Sequence, residues 1–178
     1  MDPSARSQSG SVWIPVPATV IGVVSDSHGE ADRTETALRS LEAAGADLFI
    51  HLGDLESEAV VDRLAGRPSR IVLGNVDVPE LARYASFLGI DVDHPVMRLE
   101  VGGRRIGATH GHLESELDRL ASERPDHLLH GHTHRIRDER VEGMRILNPG
   151  AIARSPRCTA AILEPAADRF EIIEIPVE

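Results

Sequence analysis

The chain has 178 residues, 19 basic and 29 acidic, for a formal net charge of −10, and every basic residue is arginine. Without lysine there is no Schiff-base chemistry, no pyridoxal-phosphate anchor and no Walker-type loop, whose lysine must reach the phosphates. One cysteine, Cys158, excludes an intrachain disulfide framework and any cysteine-rich zinc or iron–sulfur site, and the acidic balance argues against general nucleic-acid binding.

Residues 1–17, rich in Ser, Gly and Pro, read as a flexible tail in which Trp13 is free to dock or stay exposed. Residues 18–178 read as a single domain, long enough to bury a core without staples. No apolar run reaches the ~18–20 residues of a membrane span. Residues 12–17 are too short and proline-broken for a signal peptide, so a soluble cytoplasmic protein is expected. Residues 19–25 (TVIGVVS) form a continuous apolar, β-branched run, the mark of a strand buried on both faces. Residues 32–44 carry Ala37, Leu38, Leu41 and Ala44 at helical spacing before Gly45. A strand over 47–52 and a helix over 56–65 repeat the pattern, and a strand over 70–73 and a helix over 79–88, with Pro79 in its first turn, repeat it again. Three β-then-α units predict a parallel sheet with crossover helices.

The second half differs. Residues 96–101 and 104–109 flank Gly102-Gly103 and read as a hairpin. A helix over 114–123 and a short buried strand over 127–130 follow, then strands over 137–141, 159–164 and 169–175. A parallel start with an antiparallel finish predicts an α/β fold: two mixed sheets packed face to face with helices on the outer faces.

After each buried strand, where the chain must turn, stands a side chain able to hold a metal. These are Asp26 and His28, then Asp54, Asn75, His110 with His112, and His132 with His134. In open α/β sheets the carboxyl ends of strands line one edge, where ligands bind. Carboxylate, amide oxygen and imidazole without thiolate suit divalent manganese, iron, cobalt, nickel or zinc. So many ligands are more than one catalytic ion takes, whereas two ions sharing a carboxylate would use seven of the eight. Asp-x-His and His-x-His would place their ligands on one side of an extended segment.

This ordered series, Asp26-x-His28, Gly53-Asp54, Gly74-Asn75, His110-Gly111-His112 and Gly131-His132-Thr133-His134, resembles the calcineurin-like metallophosphoesterase superfamily. The length and the closing Asn148-Pro149-Gly150 are similar to its small, single-domain prokaryotic phosphodiesterase branch. The resemblance implies a four-layer α-β-β-α sandwich and two divalent ions per chain, manganese first among the candidates. It implies one ion on Asp26, His28, Asp54 and His134, and a second on Asp54, Asn75, His110 and His132. A bridging hydroxide would then attack the phosphorus of a small phosphate diester. Two features depart from the family pattern. Val76 stands where many members carry a histidine credited as general acid, which leaves His112 as the candidate acid, with a supporting role behind the ligands as the alternative. Ala151 follows Asn-Pro-Gly where the small branch tends to have serine.

Outside the series, His51 and His130 lie inside apolar strands and read as hydrogen-bonded core histidines, His94 and His127 as structural or surface residues, and Cys158 as inert. Arg135 and Arg154 could meet a substrate phosphate, though surface ion pairs are the simpler reading, and Asp77 could orient a ligand or accept a hydrogen bond but also fits an ordinary turn. The competing functions are a phosphomonoesterase and a non-catalytic scaffold on the same fold. A full ligand set argues against the scaffold, because scaffolds lose ligands. Self-association is left open. Two divalent ions would move the formal charge from −10 to −6 and concentrate the positive charge where a small anionic ester binds, while a long nucleic acid would still meet no spread basic surface.

Overall fold

The computed structural model describes residues 11–176. In it the chain runs β1 (Ile14–Pro15), β2 (Ile21–Val24), α1 (Ala31–Ala43), β3 (Leu48–His51), α2 (Glu58–Leu64), β4 (Ser69–Ile71), α3 (Pro79–Phe87) and β5 (Asp91–Val92). It continues through β6 (Val96–Val101), β7 (Arg104–Thr109), α4 (Glu114–Ser122), β8 (His127–His130), β9 (Arg137–Val141), β10 (Met144–Asn148), β11 (Thr159–Glu164) and β12 (Arg169–Glu174).

The strands form two six-stranded sheets, ordered β1-β6-β7-β8-β10-β9 and β12-β11-β2-β3-β4-β5. In the second, β2 to β5 are parallel, with Val23 opposite Ile50 and His51 opposite Ile71. The antiparallel pair β11–β12 closes one edge. In the first, the β6–β7 hairpin is antiparallel, β7, β8 and β10 run parallel, and β9 returns antiparallel on β10. Both sheets are mixed, as the sequence predicts.

Alternation along the strands explains the layering. Ile21, Val23, Leu48 and Ile50 face the other sheet, where Met97, Leu99, Ile106, Leu129 and Leu147 meet them. Val24, Phe49 and Ile71 point the opposite way, onto Leu38 and Leu41 of α1 and Val60, Val61 and Leu64 of α2. A strand buried on both faces has no polar side, which is why these segments read as continuous apolar runs. On the outside of the first sheet, Leu120 anchors α4 against Leu128, Met144 and Ile146. Burying such a leucine is worth about 1.5–3 kcal/mol. The result is the four-layer sandwich.

Beyond shifts of one or two residues at element ends, three features differ from expectation. Ile14–Pro15, placed in the tail, instead pairs in parallel with Leu99 and Glu100. Arg105 also stacks over the Trp13 ring, 5.5 Å from its centroid; the tail over residues 1–10 lies outside the described residues. The helix expected from residue 56 begins at Glu58, because Ser57 caps it by accepting from the Val60 N–H. That leaves Glu56 outside the helix and beside His28. Finally, β5 and β10 were not read from the sequence. Among the described residues, no helix is long and apolar enough to cross a membrane.

Candidate metal centre

The loops that follow β2, β3, β4, β7 and β8 converge on one rim and bring two groups of side chains together. Asp26, His28 and His134 form one group and Asp54, His110 and His132 the other; within each, one potential ligand atom per residue lies within 4.8 Å of the others. The first group contains His28 Nε2 3.1 Å from His134 Nε2, and His134 Nε2 3.2 Å from Asp26 Oδ1. In the second, His110 Nε2 lies 3.3 Å from Asp54 Oδ1 and 3.2 Å from Asn75 Oδ1. Asp54 stands between them, since its other oxygen, Oδ2, is 3.8 Å from His28 Nε2. All seven residues expected as ligands are thus gathered, each on the element that the sequence places it after.

The local backbone is not what the spacing suggests. Asp26, His28, Asp54, His132 and His134 all have positive φ, between 45° and 64°, so these five sit in left-handed turns rather than on extended segments. Asp and His tolerate this region better than bulkier residues, but such conformations carry strain that persists only where surrounding contacts hold it. Backbone bonds supply that hold. The Asp26 N–H donates to Gly53 O, the His28 N–H to Asp54 O, and the Gly131 N–H to His110 O, each between 2.9 and 3.0 Å. Asp77 adds a staple: its two carboxylate oxygens accept from the N–H groups of Glu56 and Gly74, both at 2.8 Å.

Hydrogen bonds also fix the histidine tautomers. His28 Nδ1 donates to Glu56 Oε1 at 2.9 Å, His110 Nδ1 to Leu52 O at 2.7 Å, and His134 Nδ1 approaches Arg154 O at 3.3 Å. Each partner can only accept, so the proton is on Nδ1 and the Nε2 lone pair faces the centre. Carboxylate and carbonyl partners behind histidines are the arrangement that orients metal ligands.

The centre therefore consists almost wholly of acceptors turned toward one another. Asp26 Oδ1 is buried and accepts no hydrogen bond among the described residues, while Oδ2 accepts from Ser25 Oγ and from the His132 N–H. A buried unsatisfied carboxylate oxygen is costly, and facing lone pairs repel unless a cation lies between them. Protons otherwise take that role. Burial alone would raise the Asp54 carboxyl, yet His110 draws it down to about 2. Burial alone would lower His110, yet Asp54 raises it. The donor set, an oxygen-and-imidazole mixture without sulfur, fits divalent cations of the manganese-to-zinc series.

Neighbouring residues divide into supports and bystanders. His51 is fully buried; its Nδ1 accepts from the Gly53 N–H and its Nε2 bonds Ser27 Oγ. Burial, with His110 adding to it, pushes its pKa down to about 3. His130 is likewise buried against Gly131 O and Asn148. Far from the rim, His127 bonds Asp168. His112 packs its ring 5.3 Å from that of His110 and 6.2 Å from that of His132, and its buried Nδ1 has no partner among the described residues. Val76 turns its N–H, not its side chain, to Asp54 Oδ1. Arg154 pairs with Glu56, and with Arg135 and Arg157 it lines a cleft of about 400 Å³ beside His134. Glu56, Leu52 and Arg154 as partners of the ligands escape sequence reasoning, because nothing in the local pattern links them to His28, His110 or His134.

Known proteins agree with this architecture. The calcineurin-like phosphoesterase superfamily domain matches residues 20–168. A probable metallophosphoesterase of Bacillus subtilis is 35% identical over 142 residues, covering 76% of this chain and 75% of that protein. A phosphodiesterase of Methanocaldococcus jannaschii is 26% identical over 136 residues, covering 73% and 82%. Among solved structures, an archaeal phosphodiesterase superposes with a TM-score of 0.79 at 23% identity, over 88% of this chain and 99% of that one. The chain belongs to the calcineurin-like phosphoesterase superfamily, in the company of its small prokaryotic metallophosphoesterases.

Proposed function

We propose that the protein is a soluble, cytoplasmic phosphodiesterase that hydrolyses small phosphate diesters with two divalent ions. Asp26, His28, Asp54 and His134 would hold one ion and Asp54, Asn75, His110 and His132 the other. The observation that carries this reading is Asp54, whose two oxygens address the two groups separately. When bound, such ions polarise phosphoryl oxygens and lower the pKa of water to about 7. The chain's part is to fix its ligands in advance: Glu56, Leu52 and Arg154 set the imidazole tautomers, and Asp77 ties the loops bearing Asp54 and Asn75. Asn75 and His132 are exposed, so the centre opens to solvent and no cap covers it among the described residues. This favours a diester with two substituents over a single small monoester enclosed on all sides. His112, beside the second group, would give a proton to a leaving oxygen.

The test is hydrolysis of bis(p-nitrophenyl) phosphate by metal-stripped protein with manganese, cobalt, nickel or zinc added back. Activity should return with at least one ion, manganese foremost, and fall by more than ~100-fold in Asp54→Ala. No activity with any ion, or full activity in that variant, overturns the reading, and a monoester hydrolysed faster than the diester overturns the diester preference.

A further inference from the structure

All three members of the first group lean on one loop, and the two histidines on one residue in it. The segment between β10 and β11 donates its Ile152 and Ala153 N–H groups to Ser25 O and Asp26 O at 3.0 and 3.1 Å. The next residue, Arg154, sends its carbonyl toward His134 Nδ1 and its guanidinium to the Glu56 carboxylate at 3.0 Å. Glu56 in turn accepts from His28 Nδ1. Both Arg154 and Glu56 adopt positive φ, 52° and 64°, a conformation that non-glycine residues keep only when contacts impose it. The second group is held differently, since His110 rests on Leu52 O just after β3.

We propose that Arg154 is a positioning residue for the first ion, setting the affinity of that position and not of the other. The inference rests on reading Asp26, His28 and His134 as metal ligands. The Arg154 side chain is 58% exposed, so its ion pair contributes little to folding. By contrast, a partner behind a metal ligand commonly changes metal affinity by about 10–100-fold when lost. Arg154 reaches both histidines of the group, one through its backbone and one through Glu56, and this makes it a control point for that ion alone.

Arg154→Gly isolates the guanidinium, because glycine takes the positive φ without strain and keeps the carbonyl. Manganese binding to metal-stripped protein is measured by titration calorimetry, with thermal unfolding of the same apo samples as a control. In a His132→Ala background, which disables the second group, Arg154→Gly should weaken the remaining ion by about tenfold or more. In a His28→Ala background it should change the remaining ion less than threefold. Arg154→Lys should restore part of the loss, since an ammonium replaces the charge but not the fork. Equal affinity with and without Arg154 in the His132→Ala background overturns the proposal, as does an equal loss in both backgrounds. A single ion in the wild-type titration would overturn the two-ion reading by itself, and the Arg154 comparison on that one ion would still decide this inference.

Discussion

Gly74 and Asp54 are in such close contact that a Cβ added to the glycine would stand 2.0 Å from Asp54 Oδ1 and 2.4 Å from the Asp54 backbone nitrogen. The backbone atom cannot swing aside, so the loop after β4 and the loop bearing the shared carboxylate would have to separate. Gly74→Ala should therefore misplace Asp54 between the two groups. Metal content after reconstitution should drop below that of the wild type, and diester hydrolysis should fall by more than ~100-fold, in line with the cost of small misplacements. Overpacking should also destabilise the apo protein by about 1–3 kcal/mol. Full loading with wild-type turnover would refute the contact's importance.

Asp77 joins the same two loops by its side chain. Removing both acceptors in Asp77→Ala leaves the Glu56 and Gly74 N–H groups without partners, at a cost of about 1–3 kcal/mol. Urea unfolding of metal-stripped protein should show that loss. Asp77→Asn, which keeps one acceptor oxygen, should lie between the two. A midpoint unchanged in Asp77→Ala would mean that water replaces the carboxylate in full.

The sequence made much of this legible, and the reasons for the omissions are physical. The parallel strands over 21–24 and 48–51 stand out because both faces are covered, and α1 because Ala37, Leu38 and Leu41 fall on one stripe. All ligands could be placed because each follows a strand that could be read. Asp91–Val92 escaped because two residues carry no period. Met144–Asn148 did carry a signal, the turn residue Gly143, which with Glu142 takes positive φ in the tight turn that pairs the strand with β9, but an alternation over five residues is easily lost beside the Asn148-Pro149-Gly150 motif. An ion pair is the simpler reading of Arg154 and it forms one, but its partner Glu56, and the partner of Glu56, were unreadable for a different reason. These pairings span 98 and 28 positions, and only the folded chain makes them. Asp77, which reads either as a hydrogen-bond acceptor near the ligands or as a turn residue, accepts across a gap of 21.

Acid sensitivity should arise around Asp168 as well as at the metal centre, where His51 and Asp54 are both held below their ordinary values. Burial works against its ionised form, but hydrogen bonds from Arg140, Arg145 and His127 outweigh that and hold the carboxyl well below its usual range. A folded pKa below the unfolded ~3.9 gives stability that is present above that pH and lost as pH falls through the folded value. His127 loses stability in the same direction earlier, because burial lowers its pKa despite Asp168, so protonation below the unfolded ~6.5 favours the unfolded chain. Metal-stripped protein should thus weaken in two stages, from about pH 6.5 and again below about pH 4. Asp168→Asn should reduce the lower stage, to which Asp54 also contributes, with a loss near neutral pH of about 1 kcal/mol after allowance for solvent screening. Equilibrium unfolding at a series of pH values checks both, and a lower stage unchanged in Asp168→Asn would place its origin elsewhere.

His112 can be assigned by the leaving group it serves. Its ring lies against His110 and His132 without replacing either, and no partner among the described residues occupies its Nδ1. A residue that protonates a leaving oxygen matters most when that oxygen is strongly basic, because a nitrophenolate departs without help. His112→Gln should therefore reduce hydrolysis of a dialkyl or nucleotide diester by about 10²–10⁴-fold, the usual worth of general acid catalysis. Hydrolysis of bis(p-nitrophenyl) phosphate should change less than tenfold. An equal loss on both substrates would mean that His112 orients His110 or His132 and carries no proton, since disturbed ligands slow every substrate alike whatever its leaving group.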